Sequence, residues 1–325
     1  MKLIVAVTLA VMVSCVMGHF DLSQESVETE FQKFIEKHGK VFSSQEHEHR
    51  KMIFRDNLER VNLLNDLKMG AEYGVTKFFD MSVSEFEEMY LNKFEVEDNV
   101  DRLHVSTNAA PTTFDWRDKN VVTPVKNQGN CGSCWAFSAV ENIESQWVLA
   151  GHDMIDLSPQ QLVDCDKVDE GCNGGLPWQG YDYIIQAKGL DTEKGYPYVG
   201  IDETCAFKPE DVGATISNWT MVSTNEDEIK EYLYTQGPLS CALNANWLQF
   251  YVGGISDPVL CDPKSLDHAV LLVGFGKGKN WLGVEMDYWL VRNSWGASWG
   301  EKGYFKLRRG DGKCGINTAV STAFI

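Results

Sequence analysis

The chain has 325 residues, 43% of them hydrophobic, and a formal net charge of −18. That apolar content is ample for packed cores, and an acidic balance without a Lys/Arg stripe excludes a surface that releases counterions from nucleic acid. Surplus carboxylates suit either a solvated acidic face or work in acid, where protonation relieves self-repulsion.

Residues 1–18 carry Lys2, an apolar centre and small residues ahead of His19. They read as a cleaved signal peptide, because acidic residues follow soon after Gly18, and no later run is long and apolar enough to span a membrane. The mature chain is expected to be soluble and disulfide-competent. From His19 to about Asn108 the chain is charged, cysteine-free and helical in pattern. Phe31, Phe34 and Ile35 mark a first helix. Glu46, Arg50, Phe54, Asn57, Val61 and Asn65 recur every three or four residues, which puts them on one face of a long second helix and lets Glu46 pair with Arg50. Tyr73–Asp80 reads as a strand, and Ser82 or Ser84 caps a third helix through Met89. The stretch 98–111 has no periodic apolar pattern and reads as a linker open to cleavage.

Beyond Pro111 the chain turns rich in Gly, Cys and Trp. Ala136, Val140, Ile143 and Trp147 predict a helix that starts at Ser133 or Cys134 and stops at Gly151. Strand-like runs follow over 239–243, 268–275, 288–293 and 303–307, and 256–263 and 276–287 read as longer surface loops. A helical half thus faces a β-rich half. Of nine cysteines, Cys15 leaves with the signal and Cys134 is reserved as a thiolate. The other seven are Cys131, Cys165, Cys172, Cys205, Cys241, Cys261 and Cys314; one stays unpaired, and their number leaves the pairing open. Cys131-x-x-Cys134 lacks a second Cys/His pair at zinc spacing, so no metal is expected.

The run Gln128-Gly-Asn-Cys131-Gly-Ser-Cys134-Trp135 puts a thiol at a helix start six residues after a glutamine, and His268 follows 134 residues after Cys134. A thiol of ordinary pKa is mostly protonated near neutrality. A helix N-terminus, worth about 0.3–1 kcal/mol, and a nearby imidazolium both favour its thiolate. The candidate roles are Cys134 as nucleophile, His268 as base and then acid, and Asn293 as the group that orients the imidazole. Trp295 would keep water off that bond, and Gln128 would donate, beside the Cys134 N–H, to a tetrahedral oxyanion. Each has a bland alternative alone: half-cystine, core histidine, turn asparagine, core tryptophan. In register they point to acyl-transfer hydrolysis.

Taken together, these motifs resemble a prepro-cysteine protease of the papain/cathepsin family over nearly everything after the signal. The face from Glu46 to Asn65 resembles the family's ERFNIN pattern, with Val61 a conservative departure. Gly74-x-Thr76-x-Phe78-x-Asp80 resembles its GNFD motif, with Thr76 in place of asparagine. Tyr73–Phe78, Leu271–Phe275 and Trp299–Tyr304 are most similar to cathepsin F-type enzymes, so the likeness is to the F/L-type group. It implies an α+β, papain-like two-domain fold: a helical left domain, a β-barrel-like right domain and a cleft between them. A mainly helical inhibitory prosegment would precede these, with residues 1–18 as signal, 19–109 as propeptide and 110–325 as peptidase domain.

The resemblance further implies the bridges Cys131–Cys172, Cys165–Cys205 and Cys261–Cys314, leaving Cys241 as a small buried hydrophobe. Gly174 and Gly175 would let a substrate backbone pair closely. Leu176, Pro177, Ala242, Leu266 and Ala319 would line the pocket for the second residue before the scissile bond, favouring Leu, Val or Phe and rejecting Arg. Asn218-Trp219-Thr220 is an N-glycosylation sequon. The expected protein is a secreted or lysosomal endopeptidase zymogen that acts on proteins and peptides and is held by its own propeptide until acid protonates carboxylates such as Asp80 or Glu46. It would be a monomer open to cystatin-type inhibitors, without cofactor, nucleic-acid partner or membrane span. A catalytically silent papain-like binding or adhesion protein is the competing reading, disfavoured by the intact Gln128, Cys134, His268 and Asn293. Transglutaminase-type acyl transfer shares the Cys–His chemistry but not the prosegment.

Overall fold

The structure, a computed structural model, describes residues 19–93, 95–96 and 100–325; the expected signal peptide lies outside the described residues. The N-terminal segment, expected to be a prosegment, opens with two helices, α1 (Gln24–His38) and α2 (Ser44–Asp66), the second started by the Ser43 side chain accepting from the Glu46 N–H. They pack through Phe31, Phe34 and Phe54, the Phe54 ring lying 5.3 Å from each of the other two. Phe54 and Val61 are fully buried, each worth about 1.5–3 kcal/mol of apolar burial.

The face of α2 that carries Arg50, Asn57 and Asn65 also holds the chain that follows it, from Tyr73 to Glu85. Asn65 exchanges hydrogen bonds with the Tyr73 backbone, Asn57 donates to the carbonyls of Phe79 and Met81, and Arg50 donates to the Asp80 carbonyl and the Glu85 carboxylate. Those bonds bend the chain, so the strand expected over Tyr73–Asp80 shrinks to β1 (Ala71–Tyr73), and residues 77–80 form turns. Thr76, in place of the motif's asparagine, donates its hydroxyl to the Gln249 carbonyl at 2.6 Å. Helix α3 (Val83–Tyr90) starts from a capping box between Ser82 and Glu85. The stretch read as a loose linker is partly tied down: β2 (Arg102–Leu103) pairs with a strand of the main sheet.

The remaining chain holds β3 (Phe114–Asp115), α4 (Cys134–Leu149), α5 (Pro159–Cys165) and α6 (Pro177–Ala187). A two-stranded ribbon, β4 (Leu190–Asp191) and β5 (Val212–Ala214), leads to β6 (Asn218–Val222) and α7 (Glu226–Gln236). Then come β7 (Leu239–Leu243), β8 (Tyr251–Ser256), β9 (His268–Lys279), β10 (Glu285–Arg292), β11 (Tyr304–Arg308) and β12 (Ala319–Phe324). Most of 276–287, expected as a loop, is instead the outer half of the β9–β10 hairpin, paired as far as Lys279 with Glu285. Only 280–284 turns, with the Asn280 side chain accepting from the N–H groups of Leu282 and Val284.

The main sheet runs β1-β8-β11-β10-β9-β7-β12-β6-β2, with β3 added against β9. It forms no closed barrel among the described strands. Both ends of the order, β1 and β2, come from the chain ahead of Phe114, so the backbone groups of β8 and β6 that would otherwise be free are paired. Helix α4 is buried from Cys134 to Ser145 and packs on β9, β7 and β12. Its inward carboxylates are matched: Glu141 by Arg292 at 3.1 Å, Glu144 by Lys126 at 2.9 Å and by the Thr123 hydroxyl at 2.5 Å. Removing one partner would leave a buried charge uncompensated, so the helix position, and with it that of Cys134, is tightly held. Bridges join Cys131–Cys172, Cys165–Cys205 and Cys261–Cys314, while Cys134 and Cys241 are free and buried. No helix among the described residues is long and apolar enough to cross a membrane.

Candidate active site

Cys134 is the first residue of α4 and is buried in one apolar cluster with Ala269, the residue after His268. His268 opens β9, so helix start and strand start meet at the cleft. The His268 Nε2 lies 2.8 Å from Asn293 Oδ1. That oxygen also accepts from the Ser294 N–H, which identifies it as the carbonyl oxygen of the amide. It can only accept, so Nε2 carries the hydrogen and Nδ1 keeps the basic lone pair. Nδ1 has no partner among the described residues. The Trp295 ring stacks on the imidazole at 4.7 Å and covers the bond to Asn293.

Gln128 is fully buried. Its Nε2 donates to the Cys131 carbonyl at 3.0 Å, its Oε1 accepts from the Ser294 hydroxyl at 2.7 Å, and its own carbonyl accepts from Tyr198. The side-chain amide is thereby fixed with one N–H unused. Ser294 stands beside a recognised motif residue, but its tie to Gln128 spans 166 positions, and nothing local announces it.

The opposite wall carries Gly174 and Gly175. A Cβ on Gly175 would come within 2.6 Å of the Trp135 ring and 2.7 Å of the Asp169 carboxyl, so only glycine fits. Pro177 opens α6, with Leu176 just ahead of it. Ala242 lies between Ala319 and Ala269 in the strand ladder. Ala242, Leu266 and Ala319 are buried in one apolar cluster with Leu176 at its edge. The sequence reading missed Asp169. It accepts from the Leu176 N–H at 2.8 Å and stands next to the buried Asp166. Burial first, then Asp166, pushes its carboxyl up to about 8, against the opposing pull of the Leu176 amide.

The prosegment covers all of this. Phe78, Phe86 and Tyr90 pack edge-on to Trp295, and the Tyr90 hydroxyl donates to Asn130. Asn92 then bridges the two walls over the thiol: its N–H donates to the Asp267 carbonyl and its Nδ2 to the Gly132 carbonyl, both at 2.6 Å. Val96 packs against the apolar cluster that holds Ala242, Leu266 and Ala319. So covered, the site is not the charged pair expected from sequence. Burial pushes the Cys134 thiol up to about 12 and pulls the His268 imidazole down to about 4. Complete loss of water outweighs the ~0.3–1 kcal/mol that a helix dipole supplies.

A buried thiol with an oriented imidazole beside it, under a strap from the same chain, defines a cysteine protease in its zymogen form. The comparisons agree. A family model for papain family cysteine proteases matches residues 110–324, and one for the cathepsin propeptide inhibitor domain matches residues 31–86. The chain belongs to the papain family and is a cysteine endopeptidase with an inhibitor-type propeptide. It is 43% identical over 321 residues to Cysteine proteinase 1 of Dictyostelium discoideum, covering 92% of this chain and 93% of that one. It is 42% identical to cathepsin F of Mus musculus, covering 91% of this chain and 64% of that one. Among solved structures, digestive procathepsin L2 from Tenebrio molitor larval midgut superposes with a TM-score of 0.83 at 34% identity, covering 92% of this chain and all of that one.

Proposed function

We propose that this enzyme cleaves proteins internally through a Cys134 thioester once the prosegment has left, with residues 19–109 as the propeptide and 110–325 as the peptidase. One observation carries the mechanism: Asn293 holds the His268 tautomer that leaves Nδ1 basic, at the start of the strand whose next residue, Ala269, is buried in one cluster with Cys134. With water readmitted, the proton moves from sulfur to Nδ1, and the helix N-terminus and the imidazolium stabilise the thiolate. Sulfur attacks the substrate carbonyl carbon, and the oxyanion takes the Cys134 N–H and the unused Gln128 Nε2–H. His268 gives its proton to the leaving amine and then draws one from water to release the acyl group.

The apolar cluster of Ala242, Leu266 and Ala319, edged by Leu176 with Pro177 next to it in the chain, supports a preference for Leu, Val or Phe at the second residue before the cut. None of these five side chains carries a charge to pair with Arg. Residues 1–18 and the exposed Asn218 at the start of β6 support a glycosylated monomer of the secretory pathway, delivered to the lysosome or outside the cell. An open cleft of this kind also suits cystatin-type inhibitors.

Acid treatment of the full chain, followed by labelling with an epoxide thiol trap and profiling on a peptide library, tests the reading. Labelling should appear only after activation and vanish in Cys134→Ala. Equal cleavage after Arg and Leu at the second position would refute the pocket. Binding of peptides without hydrolysis would favour the silent adhesion protein.

A further inference from the structure

We propose that Glu231 is the receptor for a new chain terminus, the α-ammonium created on Ala110 when the Ala109–Ala110 bond is hydrolysed. The inference rests on the zymogen reading above and deepens it by assigning the bond that is cut and the group that receives the product.

Glu231 lies on α7 and is 6% exposed. Its carboxylate accepts from the Ala109 N–H at 3.0 and 3.1 Å and from the Ala110 N–H at 3.0 Å. Among the described residues no Lys, Arg or His pairs with it. The adjacent Lys230 points instead to the Ala110 carbonyl, 3.5 Å away, and the other local ion pair, His104 with Glu228, lies further back along the linker. A buried carboxylate held by two neutral amides is only partly compensated. Hydrolysis adds the hydroxyl of water to the Ala109 carbonyl carbon and a proton to the Ala110 nitrogen; a second proton from solvent makes it an ammonium. A neutral donor is thus replaced, at the same place, by a cation with three N–H groups.

The surroundings keep that terminus where it forms. Residues 106–109 are exposed, as a cleavable segment must be. Ala110 is half-buried against the core. Four residues on, Phe114 packs on Tyr234 and joins β9 through β3, and the Trp116 indole donates to the Leu233 carbonyl at 2.7 Å. All of these contacts belong to the 110–325 body, so they outlast the prosegment. Pro111 adds a stop, since its ring and missing N–H resist stepwise trimming past Ala110.

Terminal sequencing of the acid-activated protein should give Ala-Pro-Thr. The α-amine should react with an acylating reagent at pH 8 at least about fivefold more slowly than that of a free Ala-Pro-Thr peptide, because one unit of raised pKa lowers the unprotonated fraction from roughly one half to roughly one tenth. A paired ammonium has its pKa raised. Its stabilisation is therefore complete below the free amine's ~7.7–8.0 and is lost as pH rises through the folded value. The mature enzyme should accordingly lose thermal stability between pH 8 and 10 more steeply than the zymogen, and Glu231→Gln should remove the difference. Lys230, Glu228 and Tyr234 are common to both forms, whereas His104 leaves with the prosegment, so the deciding comparison is mature wild type against mature Glu231→Gln. Peptide hydrolysis is assayed on the same sample. Activity with a different terminus, or with an amine as reactive as the free peptide's, overturns this assignment alone. No activity after processing overturns the peptidase reading and the receptor with it. The labelling comparison needs no variant, so it decides even where Glu231→Gln fails to fold.

Discussion

Gln128 and Asn293 show how one side chain can be specified by partners far away in sequence. Gln128 is pinned at both ends of its amide, by Cys131 and by Ser294, which leaves a single N–H aimed by default. Gln128→Ala should therefore lower kcat of the mature enzyme by about 10²–10³ with little change in KM. A raised KM with intact kcat would mean that Gln128 binds substrate and does not stabilise the oxyanion. Cys134 and His268 make a matching point about context. Both are neutral under the strap because burial dominates, so the epoxide trap should label the zymogen far more slowly than the mature enzyme at the same pH. Equal labelling rates would mean that the strap does not silence the thiol.

At the scale of elements, α2 acts as a beam for the prosegment, and its buried Phe54 and Val61 hold it to its neighbours. Its polar positions do as much, since Arg50 clamps both the Asp80 carbonyl and the start of α3 through Glu85. Arg50→Ala removes charge-assisted bonds worth about 1.5–3 kcal/mol and should lower the zymogen Tm by roughly 5 °C while speeding activation. An unchanged Tm with an unchanged activation rate would show that the clamp carries no weight. The ERFNIN-like spacing was legible because a helix repeats every three or four residues. The bend after Tyr73 was not, because it is imposed by Asn57, Arg50 and Gln249 and not by its own sequence.

Across the whole molecule, acid acts in opposite directions on strap and body. Burial favours the protonated Glu85, but the Ser82 N–H and Arg50 outweigh it and hold the carboxyl below its ordinary 4.5. The stability that Glu85 supplies is present above that value and is lost as pH falls through its folded pKa. His38 on α1 is pulled below 6.5, first by burial and then by Lys37 and Lys40, so it too supports the prosegment at neutral pH and opposes it once protonated. In the body, Asp169 is pushed up to about 8, so its contribution is greatest in acid and declines as pH rises from its ordinary 3.8. Activation should therefore accelerate as pH falls from 6.5 through 4.5 and further below it, with Glu85→Gln flattening the part below 4.5. The mature enzyme should be more heat-stable at pH 5 than at pH 7.5, and Asp169→Asn should narrow that gap. Identical activation rates at pH 7.5 and pH 4.5 would remove the acid trigger.

By itself the sequence determined the chemistry and its periodic scaffolding. The thiol, imidazole and amides stand in short recognisable runs, and α2 and α4 show their faces through spacing alone, because both depend on near neighbours. The tertiary structure decided what depends on distant ones. The strap crosses the thiol in the person of Asn92, and Ser294 secures Gln128. Asp169 braces the glycine wall, and Glu231 waits beside Ala109 and Ala110. It also decided the charge state of the nucleophile, since whether Cys134 is a thiol or a thiolate turns on the water around it, and no run of residues encodes that.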